Sequence, residues 1–172
     1  MKSLFLNTKA FINSLNSKTA LKVSKILLRN AIRISVAESC TGGLISSRLT
    51  DIAGSSAFIT ANFVTYSNEA KQRFLNVSEE TLKTYGAVSA ECVKEMALGL
   101  YQLTGSEIVL CTTGIAGPGR SEKKSVGLIY IACYYNNNLV VKEFNINPNY
   151  SRKNMKFLFS EQALRFVLEV LK

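Results

Sequence analysis

The stretch Ala37-Glu38-Ser39-Cys40-Thr41-Gly42-Gly43 decides how this chain is organised. It follows a short β-branched run, Ile34-Ser35-Val36, and apolar residues at helical spacing come after it: Ile45, Leu49 and Ile52. The pattern predicts a strand that turns into a helix, where free backbone N–H groups suit a carboxylate, a phosphate or a developing oxyanion. Because the hydroxyl of Ser39 stands directly before those groups, the stretch predicts either a nucleophile beside anion-binding donors or only a capped helix after a glycine turn.

Length and composition are those of a globular protein with one domain. The chain has 172 residues, of which 47% are apolar and 19% are charged, and no apolar run approaches the roughly 18 residues that a membrane helix needs. It contains no histidine, which argues against a zinc site and against Ser-His-Asp or Cys-His catalysis. We therefore expect no metal and no cofactor. The dispersed cysteines are typical of reduced, buried residues in a cytoplasmic protein: Cys40, Cys92, Cys111 and Cys133.

The net charge of +9 is unevenly distributed along the chain. Residues 1–33 carry seven basic and no acidic residues, and residues 150–172 carry five basic and two acidic ones. The middle of the chain, with its glycine-rich motifs, is nearly neutral. This distribution favours solvated basic helices at the two ends over a nucleic-acid groove.

The remaining patterns indicate a chain of alternating strands and helices. Residues 1–16 are weakly amphipathic and predict a helical extension, which leaves 17–172 as the folded domain. Helices are predicted to begin at Ser17 or Thr19, after the opening stretch, and near Asn68, Ser78, Ser89 and Ser151. Strands are predicted over 58–66, 108–112, 126–134 and 139–146, the last two as a hairpin. This order predicts an α/β sandwich with one antiparallel element.

A second glycine-rich loop, Thr113-Gly114-Ile115-Ala116-Gly117-Pro118-Gly119, follows the strand at 108–112. Its glycine density resembles a phosphate-binding loop, although a loop that requires positive φ angles explains the same residues. Two strands thus end in glycine-rich loops. Ligands of α/β sheets bind at the carboxyl ends of strands, which favours a shared site.

Lys71 is the candidate base in a chain without histidine. It falls in the first turn of the helix whose predicted N-cap is Asn68. There the helix dipole, helped by burial, would lower its pKa and leave a neutral amine able to activate Ser39. Tyr66 could hydrogen-bond either group. The alternative for Lys71 is a solvated surface lysine, and the alternative for Tyr66 is an aromatic residue of the core.

Several motifs in the same order resemble the CinA C-terminal domain family. They are Ala37–Gly43, Asp51-Ile52-Ala53-Gly54-Ser55-Ser56-Ala57, Val64-Thr65-Tyr66-Ser67-Asn68-Glu69-Ala70-Lys71, Gly86-Ala87-Val88-Ser89 and Thr113–Pro118 with Val126-Gly127. The resemblance implies a three-layer α/β/α sandwich with a five-stranded mixed sheet in which one strand is antiparallel. It also implies a homodimer or higher oligomer, and a metal-free serine–lysine amidase that converts nicotinamide mononucleotide to nicotinate mononucleotide and ammonia.

The resemblance assigns catalytic roles to Ser39 and Lys71, with Tyr66 assisting. The predicted substrate-binding residues are Cys40, Thr41, Gly42, Gly43, Asn68, Thr113, Gly114, Ala116, Gly117 and Arg152. Two departures affect the nucleotide end of the site. Tyr150-Ser151-Arg152 stands where relatives often carry Gly-Asp-Arg, and Arg120 stands where they often carry glycine. The alternative hypothesis is therefore an inactive nucleotide-binding or interaction module of the same fold.

Overall fold

The computed structural model describes residues 18–119 and 124–172; the predicted extension at 1–16 and Arg120 lie outside them. The strands are β1 (Ile34–Glu38), β2 (Ile59–Val64), β3 (Ile108–Gly114), β4 (Leu128–Tyr135) and β5 (Asn138–Asn145). The helices are α1 (Lys18–Arg29), α2 (Leu44–Thr50), α3 (Asn68–Leu75), α4 (Glu79–Thr84), α5 (Ala90–Thr104) and α6 (Arg152–Val170).

The five strands form one mixed sheet in the order β2-β1-β3-β4-β5. Strand β1 is parallel to both β2 and β3, whereas β4 pairs antiparallel with β3 and with β5. Strand β4 alone therefore runs against the other four, as predicted. The β4–β5 hairpin closes through Asn136 and Asn137, whose φ angles of +51° and +58° suit the tight turns that asparagine tolerates.

Helices cover both faces of the sheet because the buried strands are apolar on both sides. In β3, Ile108 and Leu110 pack into the cluster formed with α1, α2 and α6, while Val109 and Cys111 pack into the cluster formed with α5 and the end of α3. All four side chains are fully buried. This arrangement confirms the predicted three-layer α/β/α sandwich with a five-stranded mixed sheet and one antiparallel strand.

Serine side chains cap four of the helices. Ser78, Ser89 and Ser151 accept a backbone N–H of the first turn of α4, α5 and α6, as the sequence predicted. The predicted N-cap at Asn68 is wrong by one residue. Ser67 has the extended backbone of a cap and its hydroxyl accepts the N–H of Ala70, so Asn68 is the first helical residue.

Helix α3, which carries Lys71, lies directly against α5 at Gly99. A Cβ atom at that position would stand 1.9 Å from the backbone oxygen of Leu75, the last residue of α3. The missing side chain therefore allows the two helices to approach at backbone distance, and this approach helps to set where α3 lies relative to β1.

The four cysteines are free and buried, as predicted. Within residues 18–119 and 124–172, no helix combines the length and the hydropathy that crossing a bilayer requires.

Candidate active site

Ser39 lies in the turn between β1 and α2, at the carboxyl end of the central strands. Its N–H donates to the carbonyl of Thr112 on β3 at 3.1 Å, and its own carbonyl accepts the N–H of Gly42 at 3.1 Å. Gly42 and Gly43 have φ angles of +59° and +88°, which only glycine adopts readily. These contacts hold Ser39 directly against the end of the sheet.

The carboxylate of Glu38 occupies the start of α2. It accepts the N–H groups of Ile45 and Ser46 at 3.1 and 2.8 Å, and the Ser46 hydroxyl at 2.6 Å. Glu38 is fully buried, so these donors satisfy a charge that is withdrawn from water. The expectation that this helix start offers free donors to a substrate is therefore wrong for Ile45 and Ser46, because the chain supplies its own anion.

Lys71 reaches Ser39 from α3 on the other side of the turn. Its Nζ atom donates to the Oγ atom of Ser39 at 3.1 Å and to the carbonyls of Thr65 and Tyr66 at 2.9 and 3.2 Å. The side chain is 1% exposed, so it is not the solvated lysine of the alternative interpretation. The two backbone carbonyls orient the amine towards the serine hydroxyl.

Tyr66 lies beside Ser39 and Lys71, but its hydroxyl bonds to Arg152 and not to either of them. The side chain is 59% exposed, and its hydroxyl accepts from the Arg152 guanidinium at 2.7 Å. The other terminal nitrogen of Arg152 donates to the carbonyl of Gly117 at 2.5 Å. Tyr66 contacts Lys71 through its backbone carbonyl, whereas its hydroxyl links the segment between β2 and α3 to Arg152 at the start of α6.

These residues line a cleft of about 380 Å³. Ten of the predicted site residues are in its wall: Ser39, Cys40, Tyr66, Asn68, Lys71, Thr113, Gly114, Ala116, Gly117 and Arg152. The other three predicted residues, Thr41, Gly42 and Gly43, do not line the cleft. The buried Thr41 hydroxyl pairs with that of Thr112 at 3.1 Å, and Gly42 and Gly43 lie under the side chains of Lys156 and Val64.

Four further residues line the cleft without having been predicted as site residues: Ala87, Val88, Ile115 and Gly119. The turn that carries Ala87 and Val88 is tied to the site, since the carbonyl of Ala87 accepts the Thr113 hydroxyl at 2.6 Å. Lys124 donates to the carbonyl of Val88 at 2.5 Å. The Gly86–Ser89 motif was the available signal, but its apolar side chains carry no chemistry that a sequence pattern could assign.

The hydroxyl of Ser39 is the nucleophile candidate of this turn, and the neighbouring thiol is not. Burial, and next the negative charge of Glu38, raise the pKa of Cys40 to about 12, so the thiol is protonated and unreactive near neutrality. In the described part of the chain, no three His, Cys, Asp or Glu side chains come together as a metal site would require.

Comparison with known proteins identifies the family. The family model of the CinA C-terminal domain matches residues 16–171. The chain belongs to the CinA C-terminal domain family. A CinA-like protein from Chloroherpeton thalassium is 47% identical over 152 residues, which are 87% of this chain and 36% of that protein. A CinA-like protein from Syntrophomonas wolfei is 43% identical, again over 87% of this chain and 36% of the relative. The chain thus spans about a third of these curated relatives.

Solved structures of CinA proteins share the fold over nearly the whole domain. The competence/damage inducible protein CihA from Agrobacterium tumefaciens has a TM-score of 0.87 and 36% identity, covering 92% of this chain and 96% of that one. A CinA superfamily protein from Escherichia coli has a TM-score of 0.85 and 27% identity, covering 90% of each chain. Family and fold are therefore established together.

Proposed function

We propose that this CinA domain is an amidohydrolase that converts nicotinamide mononucleotide to nicotinate mononucleotide and ammonia. The observation that carries the proposal is the 3.1 Å contact between the Nζ atom of Lys71 and the Oγ atom of Ser39. A buried amine held against a serine hydroxyl is the arrangement that activates a serine without histidine. The cleft of about 380 Å³ lies in the usual range for small-molecule sites, roughly 300–1,000 Å³.

The chemistry divides into acylation and deacylation. When Lys71 is neutral, the hydrogen bond across this contact reverses and the Ser39 hydroxyl donates to Nζ. Nζ then takes the proton of Ser39 while Oγ bonds to the carboxamide carbon, and the carbonyl electrons move onto oxygen. The C–N bond then breaks as the nitrogen takes a proton from Lys71 and leaves as ammonia. Water attacks the acyl-serine in the same way, with Lys71 as base, and releases the carboxylate and Ser39.

Backbone donors are needed for the oxyanion of each tetrahedral intermediate. Of the predicted segment Cys40–Gly42, the N–H of Gly42 is donated within the turn and Thr41 lies outside the cleft wall. Cys40 lines the cleft, so its N–H, next to the nucleophile, is the donor that we assign to the oxyanion.

The substrate phosphate requires a cation away from the nucleophile. Arg152 lies in the cleft wall beside the glycine loop, where its guanidinium donates to the carbonyl of Gly117. A guanidinium matches the geometry of a phosphate and holds it by paired hydrogen bonds. We therefore place the phosphate at Arg152 and the carboxamide at Ser39.

The direct test is release of ammonia from nicotinamide mononucleotide by the purified chain, with Ser39→Ala as its control. We expect turnover by the wild type and at least a 1,000-fold loss in Ser39→Ala, since the acyl-enzyme cannot form. A folded Ser39→Ala variant that still releases ammonia would exclude the serine mechanism.

The second candidate function is a nucleotide-binding module without hydrolysis. It is favoured by the Tyr150-Ser151-Arg152 segment, which departs from the Gly-Asp-Arg of many relatives while the cleft persists. Tight binding of the mononucleotide by the wild type without ammonia release would select it. Self-association and a cytoplasmic location stay predictions.

A further inference from the structure

A second cavity adjoins the candidate active site. Its volume is about 400 Å³, close to the 380 Å³ of the first cleft. The two cavities share Gly117 and Arg152 in their walls, so they meet at the point where the Arg152 guanidinium donates to the Gly117 carbonyl. A ligand that reached past this hydrogen bond from the active site would enter a space of similar size.

The chemistry of the second cavity differs from that of the first. Its walls include two proline rings, a valine and a tyrosine, namely Pro118, Pro148, Val126 and Tyr150. Tyr150 is 48% exposed, so much of its side chain is open to contact with a ligand. Among the described residues, Arg152 is the only charged side chain in this wall. Such a surface suits a planar, uncharged ring attached to an anionic group.

Arg152 stands at the junction of the two cavities. One terminal nitrogen donates to Gly117, in both walls, and the other donates to the Tyr66 hydroxyl, in the wall of the first cleft. A group bound at this guanidinium is therefore flanked by one cavity on each side. An anion with a ring system at both ends matches this layout.

We propose that the second cavity is the subsite for the second nucleoside of a dinucleotide. The pyrophosphate would lie at Arg152, the second base would pack against Tyr150 and the two prolines, and the carboxamide-bearing half would occupy the first cleft. The placement of that half rests on the proposed function, whereas the second cavity rests on its own lining and on its continuity with Arg152.

Calorimetry tests this subsite by measuring the binding of oxidised nicotinamide adenine dinucleotide and of nicotinamide mononucleotide to the 172-residue chain with Ser39→Ala. Tyr150→Ala, added to Ser39→Ala, should lower the affinity for the dinucleotide about tenfold, as loss of one base-aromatic contact does. The affinity for the mononucleotide should change less than twofold. The matched control is Tyr85→Ala: Tyr85 is 50% exposed and lines neither cavity, so both affinities should stay unchanged.

The outcomes separate the subsite from the proposed function. Equal dinucleotide affinity in the Tyr150→Ala and Tyr85→Ala proteins, or mononucleotide binding without dinucleotide binding, would overturn the subsite and leave the amidase proposal standing. Tyr150-dependent dinucleotide binding by a wild type that does not hydrolyse the mononucleotide would support the subsite and refute the amidase. Binding of neither compound would overturn both. Circular dichroism of each variant confirms that it is folded.

Discussion

The amine of Lys71 and the hydroxyl of Ser39 lie 3.1 Å apart although 32 positions separate them in the chain. Ser39 follows the interior strand β1, and Lys71 lies on α3, which follows the edge strand β2 in the chain. Their contact therefore depends on the packing of α3 against the sheet and not on local sequence. The carbonyls of Thr65 and Tyr66 also accept hydrogen bonds from the amine, which leaves Lys71 little freedom to turn away.

Lys71→Arg should abolish turnover as completely as Lys71→Met, although it keeps a cation. Arginine does not release its proton at working pH, so it cannot act as the base. We expect a loss of about 100-fold to 10,000-fold in kcat for both variants, measured as ammonia release. The control is Lys83→Arg, because Lys83 is an exposed lysine that pairs with Glu79 on the surface. Activity of Lys71→Arg within tenfold of the wild type would argue against a proton-transfer role.

Replacement of Glu38 by glutamine should reduce both stability and turnover. The variant loses a buried charge acceptor for Ile45 and Ser46, which costs about 1.5–3 kcal/mol and loosens the turn that carries Ser39. Urea denaturation and kcat measure the two effects.

A matched control for this change exists elsewhere in the chain. Glu95 accepts the N–H of Ser78 at 2.7 Å and the Thr81 hydroxyl at 2.6 Å, so it fixes the start of α4 outside the cleft wall. Glu95→Gln should lower the free energy of unfolding without changing kcat. If the two variants lose kcat equally, Glu38 has no special part in holding Ser39.

The local segments could be predicted from the sequence, whereas the contacts that complete the site could not. The strand, the glycine turn and the helix around Ser39 follow from apolar periodicity and from glycine chemistry. That Glu38 fills the start of α2 is not visible in the pattern, because a buried glutamate in a strand has no unique partner until the turn geometry is known. The bond between Arg152 and Tyr66 joins residues 86 positions apart, and only the tertiary fold brings them together.

Gly99→Ala should lower both stability and kcat, although Gly99 does not line the cleft. A Cβ atom would lie 1.9 Å from the Leu75 oxygen, so α3 must move outward and Lys71 with it. We expect about 1–3 kcal/mol lower stability from overpacking and at least a tenfold lower kcat from the longer Ser39–Lys71 distance. Leu98→Ala, on the same helix at an exposed position, should leave kcat intact. A destabilised Gly99→Ala protein with wild-type kcat would show that this helix contact does not position Lys71.

The stability of the domain should fall in acid through Glu161. Partial burial tends to raise the pKa of Glu161, but hydrogen bonds from Thr19, Arg48 and Arg165 outweigh it and lower this pKa from 4.5 to about 2. Because the folded value is depressed, the stabilisation is complete above about pH 4.5 and is lost as the pH falls towards 2.

The Glu161→Gln variant makes this dependence measurable. At pH 7 it should be about 1–3 kcal/mol less stable than the wild type, since the side chain is 16% exposed and its pair with Arg48 is mostly shielded from water. The difference should shrink as thermal or urea unfolding is followed down to pH 2. Glu169→Gln, whose glutamate is 46% exposed, should show little difference at any pH. If the difference in the free energy of unfolding between the wild type and Glu161→Gln does not change with pH, the charge of Glu161 is not the cause of that difference.

Arg152→Ala should discriminate between substrates with and without a phosphate. Loss of charged hydrogen bonds worth about 1.5–3 kcal/mol should lower kcat/KM for nicotinamide mononucleotide by about tenfold to a hundredfold. For nicotinamide riboside, which has no phosphate, kcat/KM should hardly change. The structure offers a competing cause, since Arg152 also holds Gly117 and the Tyr66 hydroxyl.

Tyr66→Phe separates the two causes, because it removes one partner of Arg152 and keeps both the guanidinium and the ring. If Arg152 binds the phosphate, Tyr66→Phe should retain most of the mononucleotide activity while Arg152→Ala does not. If Arg152 instead acts by fixing the glycine loop, Arg152→Ala should lower riboside and mononucleotide turnover by the same factor. Steady-state ammonia release from both compounds by the three proteins decides between these causes. Equal losses on the two compounds would show that Arg152 does not bind the phosphate.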